Sequence, residues 1–377
     1  MPERCRPEVM IRQALALADD VRLLTAPCGR RAGELLSPAE WATVRNVHLT
    51  GDGDSYHAAR AAESAFRAFA AVDCRPWSAL RLLEYGPRPT AGPGRDLVVA
   101  VSASGRTERV LQAVARCRAS GALTVGVTAG AGSPLTETAE RTLLIRPPVL
   151  EPSPGIRTYQ SSLLGLLLIA VALGEGRGAL DAPAAGRLRR ELADLAGPVD
   201  TTVRSTSGAG RALGGELADA PAILLAGSGP GQGTALFCAA KIMEGAGVPA
   251  AGQDLEEWCH VERFASPADL PLIVLAPPGR TRRNARAVAV RARDLGRRVV
   301  AVVPHESCGT EWTEREAGTV LPVHGDVREE FAPLLYHLFV HHVTAALALR
   351  LGREPFEGGR ATASVTAPGR KKGGRAH

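Results

Sequence analysis

Lys241 and Glu244 stand three residues apart in the run Ala-Lys-Ile-Met-Glu-Gly. On a helix that spacing puts an ammonium and a carboxylate on one face. The chain has three lysines, and Lys241 is the only one ahead of the basic C-terminal run that holds Lys371 and Lys372. His260 follows at the end of the acidic turn Asp254-Leu-Glu-Glu-Trp-Cys-His. A carboxylate, an amine and an imidazole supply a base, an electrostatic partner and a proton carrier, the parts needed to move a proton beside a carbonyl. A surface Lys–Glu pair and a loop histidine would show the same spacing without chemistry.

A second constellation is rich in hydroxyls. Ser55 follows the glycine-rich turn that holds Gly53, and Ser102, Ser104 and Thr107 crowd into Ser-Ala-Ser-Gly-Arg-Thr around Gly105. Hydroxyls together with the free N–H groups of a helix N-terminus can hold a phosphate without lysine, and Gly105 lets the backbone come close. Helix capping by Ser104 or Thr107 is the plainer alternative.

These residues need elements to position them, and the chain states its elements twice. Asn46-Val-His-Leu-Thr-Gly-Asp-Gly-Asp-Ser answers Ala222-Ile-Leu-Leu-Ala-Gly-Ser-Gly-Pro-Gly, an offset of about 175 residues. In both copies a short apolar strand runs into a glycine-rich turn and then a helix, 58–71 or 234–245. Leu97-Val-Val-Ala-Val-Ser-Ala-Ser-Gly-Arg-Thr matches Leu272-Ile-Val-Leu-Ala-Pro-Pro-Gly-Arg-Thr, and the copies close with apolar helices over 161–173 and 330–351. Continuously apolar strands alternating with helices predict parallel sheets covered on both faces. The expected fold is therefore α/β: two tandem, doubly wound three-layer domains with parallel, flavodoxin-like sheets. The spacing gives an N-terminal helical segment over 1–30, whose helix 7–24 crosses both domains, and a first domain over 31–176. A helical linker over 177–219 with a charged helix at 186–195, a second domain over 220–352 and a tail over 353–377 follow. The second copy has lost both serines of the turn, so the first half is expected to hold an anion and the second to carry Lys241, Glu244 and His260.

Composition narrows the class. A hydrophobic share of 45% fits a globular protein, and aromatics at 4% leave the core to Ala, Val and Leu. Net charge is +6, but arginines are spread along the chain and the dense basic run is the tail, which argues against a nucleic-acid partner. Seven scattered cysteines without a Cys-x-x-Cys pair fit reduced thiols and a cytoplasmic setting. The apolar stretch 163–173 is too short to span a bilayer, and no membrane partner is expected. Gly227-Ser-Gly-Pro-Gly-Gln-Gly233 fails the dinucleotide pattern at Gln232. His337, His341 and His342 lack the glutamate of a His-Glu-x-x-His site, so neither a metal nor a cofactor is expected.

The duplication, the Ser-x-Ser-Gly-x-Thr turn and the Lys-x-x-Glu…His array together resemble the sugar isomerase (SIS) family, and within it the isomerase halves of glucosamine-6-phosphate synthases, over roughly residues 7–367. The resemblance implies that Ser55, Ser102, Ser104, Thr107 and Thr158, with the glycines Gly53 and Gly105, bind a sugar phosphate. It further implies that Glu244 shuttles the proton, that His260 assists ring opening, and that the protein is a homodimer in which the His260 loop of one subunit completes the other's site. Three positions depart from the pattern: Ala363 stands where the synthases carry a Schiff-base lysine, Arg106 where they carry Glu, and Asp54 where they carry a phosphate-contacting Thr. An acid beside a phosphate is unfavourable unless Arg106 offsets it, which points to an altered substrate. No glutaminase domain is read ahead of residue 7. The activity implied is a phosphosugar isomerase moving a proton between C1 and C2. The alternatives are an amino-sugar-phosphate deaminase or deglycase and a sugar-phosphate sensor without catalysis.

Overall fold

The computed structural model describes residues 5–87, 94–149 and 151–357. Strand and helix alternate through both halves. The first runs α1 (Glu8–Gly33), α2 (Pro38–Thr43), β1 (Val44–Gly51), α3 (Asp54–Ala70), β2 (Asp73–Ser78), α4 (Ala79–Tyr85), β3 (Arg95–Val101), α5 (Glu108–Ala119), β4 (Leu123–Thr128), α6 (Pro134–Thr138), β5 (Arg141–Leu144) and α7 (Ile156–Gly176). Helices α8 (Ala182–Asp194), α9 (Ala196–Ser205) and α10 (Ser207–Glu216) lead into the second half. That half runs β6 (Ile223–Ala226), α11 (Pro230–Ala246), β7 (Ala250–Gln253), α12 (Leu255–His260), β8 (Pro271–Leu275), α13 (Arg282–Asp294), β9 (Arg298–Pro304), β10 (Thr319–Val323), α14 (Pro333–Tyr336) and α15 (Val340–Leu351).

The two sheets have one topology. Their orders are β2-β1-β3-β4-β5 and β7-β6-β8-β9-β10, and every pairing is parallel. In β3 and β8 all the central side chains are buried, as required of strands covered by helices on both faces. The internal repeat extends to backbone angles: Gly53 before α3 has φ 54 and ψ −128, and Gly229 before α11 has φ 56 and ψ −128. Positive φ at these two turns suits glycine and lets the helix begin directly after the strand. Both helices accordingly start one turn earlier than their apolar periodicity suggests, at Asp54 and Pro230. This early start places Asp54 on a helix.

Four other expectations are adjusted. Helix α1 runs through Pro27 to Gly33 rather than stopping at Leu24, and it packs on α7, α9 and α15, bridging the halves. The connector holds three successive helices instead of one. The last apolar stretch breaks between Tyr336 and Val340. Helix α7 is also longer than its apolar run implies. By length and composition it and the stretch Pro333–Leu351 could cross a membrane, but the apolar window of α7 is 94% covered by protein. These helices are core elements, and one hydrophobic cluster joins residues of both halves.

Helices α3 and α11 meet closely. A Cβ on Gly233 would lie 2.3 Å from the Ala61 nitrogen, so only glycine fits there. Asp54 lies against Lys241, and Arg60 hydrogen-bonds to Gln232 further along. The helices therefore cross antiparallel, each bringing its middle and last turns to the N-terminus of the other.

Candidate active site

Lys241 joins the halves. It lies on the fourth turn of α11, fully buried, with Nζ 2.6 Å from Asp54 Oδ2 and 2.5 Å from Glu244 Oε2. Its ammonium also sits 5.1 Å from the centre of the Phe237 ring, one turn back on the same helix. Phe237 in turn stacks on Tyr159 of α7 at 3.6 Å, which fixes the wall behind the lysine. A buried ammonium is tolerated because two carboxylates accept its hydrogen bonds and balance its charge.

The carboxylates are held differently. Asp54 is the first residue of α3, where the helix dipole favours an anion. Its Oδ1 is buried without a hydrogen-bond partner, and His57 Nδ1, one turn on, lies 3.9 Å away. Glu244 keeps 34% of its side chain exposed and opens toward solvent. Burial raises the Asp54 pKa, opposed by Lys241. Burial likewise raises that of Glu244; Lys241 lowers it, and Asp54's charge raises it further. For His57, burial and then the Lys241 charge push the pKa down to about 4, so its imidazole is neutral near pH 7. One ammonium thus faces two carboxylates that are more basic than free ones. Glu244, the more exposed, has the character of a base.

The hydroxyl-rich turn lies beside this cluster. Thr50 of β1 pairs with Ala100 of β3, so the turns leaving these strands are neighbours. A Cβ placed on Gly51 would meet Ser55 Cβ at 2.6 Å and the Val101 carbonyl at 3.0 Å. In the β3–α5 turn, Ser102 Oγ lies 3.0 Å from Thr107 Oγ1 and accepts from Gly105 N at 3.1 Å, while Ser104 Oγ accepts from Arg106 N at 3.2 Å. Gly105 has φ +65, and a Cβ there would fall 1.9 Å from Ser133 Oγ, so the turn is closed to larger residues. Ser102 is buried, whereas Ser104 and Thr107 are exposed. Thr107 is the N-cap residue of α5 but makes no side-chain capping bond. The start of α7 completes the ring: a Cβ on Gly155 would be 2.6 Å from Asp54 Oδ2 and 3.0 Å from Thr158 Oγ1. Gly53, Asp54, Ser55, Ser102, Ser104, Gly105, Thr107 and Thr158 therefore gather at the carboxyl ends of β1 and β3, the usual ligand position in such sheets.

His260 is elsewhere in this chain. It ends α12 with its side chain 67% exposed, 3.1 Å from Glu256 Oε1. The cation that meets Asp54 is Lys241, whereas Arg106 is exposed. His337 and His341 form a buried chain: His337 Nε2 lies 2.6 Å from Gln160 Oε1, and its Nδ1 lies 3.1 Å from His341 Nε2. Among the described residues no three His, Cys, Asp or Glu side chains are placed to hold a metal ion. Ala363, Lys371 and Lys372 lie outside the described residues. Phe356, at the described start of the tail, donates its N–H to the Glu244 carbonyl at 2.7 Å.

Residues 42–172 match the SIS domain family. The first half is a SIS domain. Across 82% of its length the chain is 27% identical to the isomerizing glutamine–fructose-6-phosphate aminotransferase of Halobacterium salinarum, covering 50% of that protein. The Pseudomonas putida protein of the same name is 26% identical over 93% of this chain and 55% of its own length. The chain is homologous to these aminotransferases but spans about half the length of the curated relatives it matches. Two solved structures share the fold. The C-terminal domain of glucosamine-fructose-6-phosphate aminotransferase from Francisella tularensis superposes with a TM-score of 0.80 at 14% identity, covering 92% of this chain and 97% of that one. Tagatose-6-phosphate ketose/aldose isomerase from Escherichia coli gives 0.72 at 16% identity, with 93% and 94% covered. Within the chain, the SIS match contains the Gly53–Ser55 turn, the Ser102–Thr107 turn and Thr158, while Lys241, Glu244 and His260 lie beyond it.

Proposed function

We propose that this SIS protein is an isomerase of a phosphorylated sugar or amino sugar, transferring a proton between C1 and C2. One observation carries the reading: a buried lysine of one half ties Asp54 at the mouth of the hydroxyl-rich turn to Glu244, a carboxylate of raised basicity. In this reading Ser55, Ser102, Ser104, Thr107 and Thr158 hold the phosphate with the backbone amides of the turns and helix starts. Glu244 removes the proton from the carbon beside the carbonyl and returns it to the neighbouring carbon. Lys241 orients Glu244 and offsets the charge of the enediolate. His260 is exposed here, so its part in ring opening needs a second copy of the chain, which makes the working unit a homodimer. A soluble sugar-metabolism enzyme of this kind would work in the cytoplasm.

Asp54 favours a second reading of the same site. Two carboxylates against one ammonium leave an excess negative charge, and Oδ1 of Asp54 is without a partner. A substrate amine would be met there by charge, as in an amino-sugar-phosphate deaminase or deglycase. Incubation with a panel of sugar and amino-sugar phosphates, with products resolved by NMR, separates the readings. An aldose–ketose pair supports isomerisation and released amine supports the second reading. Saturable binding without turnover of any member would instead indicate a sensor and overturn both.

A further inference from the structure

The site has a counterpart related by the internal repeat. It is formed by the start of α11 at Gly229, by the β8–α13 turn 276–281, and by the face of α3 that carries Arg60, Glu63 and Arg67. These surround a cavity of about 500 Å³ that Gln232, Arg280 and Thr281 also line. Gly279, Arg280 and Thr281 stand where Gly105, Arg106 and Thr107 stand in the first half.

The anion position of this turn is filled. Arg280 N donates to Glu329 Oε1 at 3.2 Å, and Arg280 Nε lies 3.4 Å from Glu329 Oε2. A Cβ on Gly279 would meet Glu329 Cδ at 2.5 Å, so the carboxylate rests directly on the glycine. Glu329 is only 15% exposed, and it arrives from the segment before α14, as Gly155 and Thr158 arrive at the start of α7 in the first half. Around it three guanidiniums face two carboxylates: Arg60 and Arg67 share Glu63, at 3.4 and 2.8 Å, and Arg280 holds Glu329. Without Glu329 the cavity would carry a two-charge positive excess next to a free backbone N–H and a helix start, a setting for a phosphate monoester.

We propose that the second half retains an oxyanion cradle, that the chain's own Glu329 carboxylate closes it, and that the cradle takes phosphate once that carboxylate is removed. The proposal is independent of whether the first half is catalytic. It accounts for a duplicated fold that offers a ligand one free anion position rather than two.

The test counts inorganic phosphate bound per chain by equilibrium dialysis. The background is Ser102→Ala/Ser104→Ala, which weakens the first-half turn. Glu329→Ala in that background is expected to gain one phosphate per chain, weakened by added salt, and to lose it again with Arg280→Ala and Arg67→Ala. Glu329→Gln, which keeps the side chain's shape, gives a smaller gain and serves if the alanine variant does not fold. A folded Glu329→Ala or Glu329→Gln protein that binds no more phosphate than its parent overturns the proposal, as does a gain that survives removal of both arginines.

Discussion

Asp54 and Lys241 lie 187 positions apart in the chain and meet at 2.6 Å across the two halves. The same ammonium holds Glu244, so the charge of a first-half residue acts on the basicity of a second-half one.

That coupling has a sign. Asp54's charge adds to the elevation of the Glu244 pKa, so Asp54→Asn should lower it. If ionised Glu244 is the base, kcat/KM falls as pH drops through this pKa, and the acid limb of the variant's profile moves to lower pH. A pH–rate profile checks it. An unmoved limb in an active variant would separate Asp54 from the base.

Lys241→Met should be strongly destabilising at neutral pH, because it leaves two neighbouring carboxylates without their cation. Breaking a buried pair costs about 3–5 kcal/mol, and the partial exposure of Glu244 places this case toward the low end. The carboxyls of the folded variant sit above their unfolded pKa values, so the folded state takes up protons more readily. The loss is full above those raised values and eases as pH falls through them. Urea denaturation at pH 7 and pH 5 measures both effects.

Replacing Ser102 and Ser104 together by Ala should raise KM for a phosphorylated substrate while kcat changes little. Each lost hydrogen bond to an anion is worth roughly 1.5–3 kcal/mol. Steady-state kinetics decide, and equal KM values would place the phosphate away from this turn.

Much of the fold was readable in the sequence because the repeat copies both the apolar strands and the turns between them. The candidate residues of the β1 and β3 turns were readable too, since strand ends in such sheets are where ligands collect. The Asp54–Lys241 contact was not. Helix periodicity starts α3 at Ala58, and only the positive φ of Gly53 brings Asp54 into its first turn. The antiparallel crossing that delivers Lys241 rests on Gly233 fitting against Ala61, which leaves no mark on hydropathy. His57 was missed for the same reason, although its spacing from Asp54 on a longer helix was a usable signal. His260 was singled out by its spacing from Glu244, yet in the single chain it faces solvent beside Glu256.

If His260 acts across a subunit boundary, mixing inactive Glu244→Gln and inactive His260→Ala proteins should restore activity. After full exchange half of the dimers are mixed, and each then holds one intact site, for about a quarter of wild-type activity. Activity of the mixture after confirmed subunit exchange is the readout. No recovery would confine the site to one chain.

The central claim is that Glu244 moves a carbon-bound proton. Its most direct test is NMR detection of deuterium at C1 or C2 of a turned-over sugar phosphate in heavy water, for wild type and Glu244→Gln. The amide keeps the carboxylate's shape without its basicity, so ligand binding should persist while exchange falls by about 10²–10⁴-fold. Exchange at the wild-type rate in Glu244→Gln would contradict the claim.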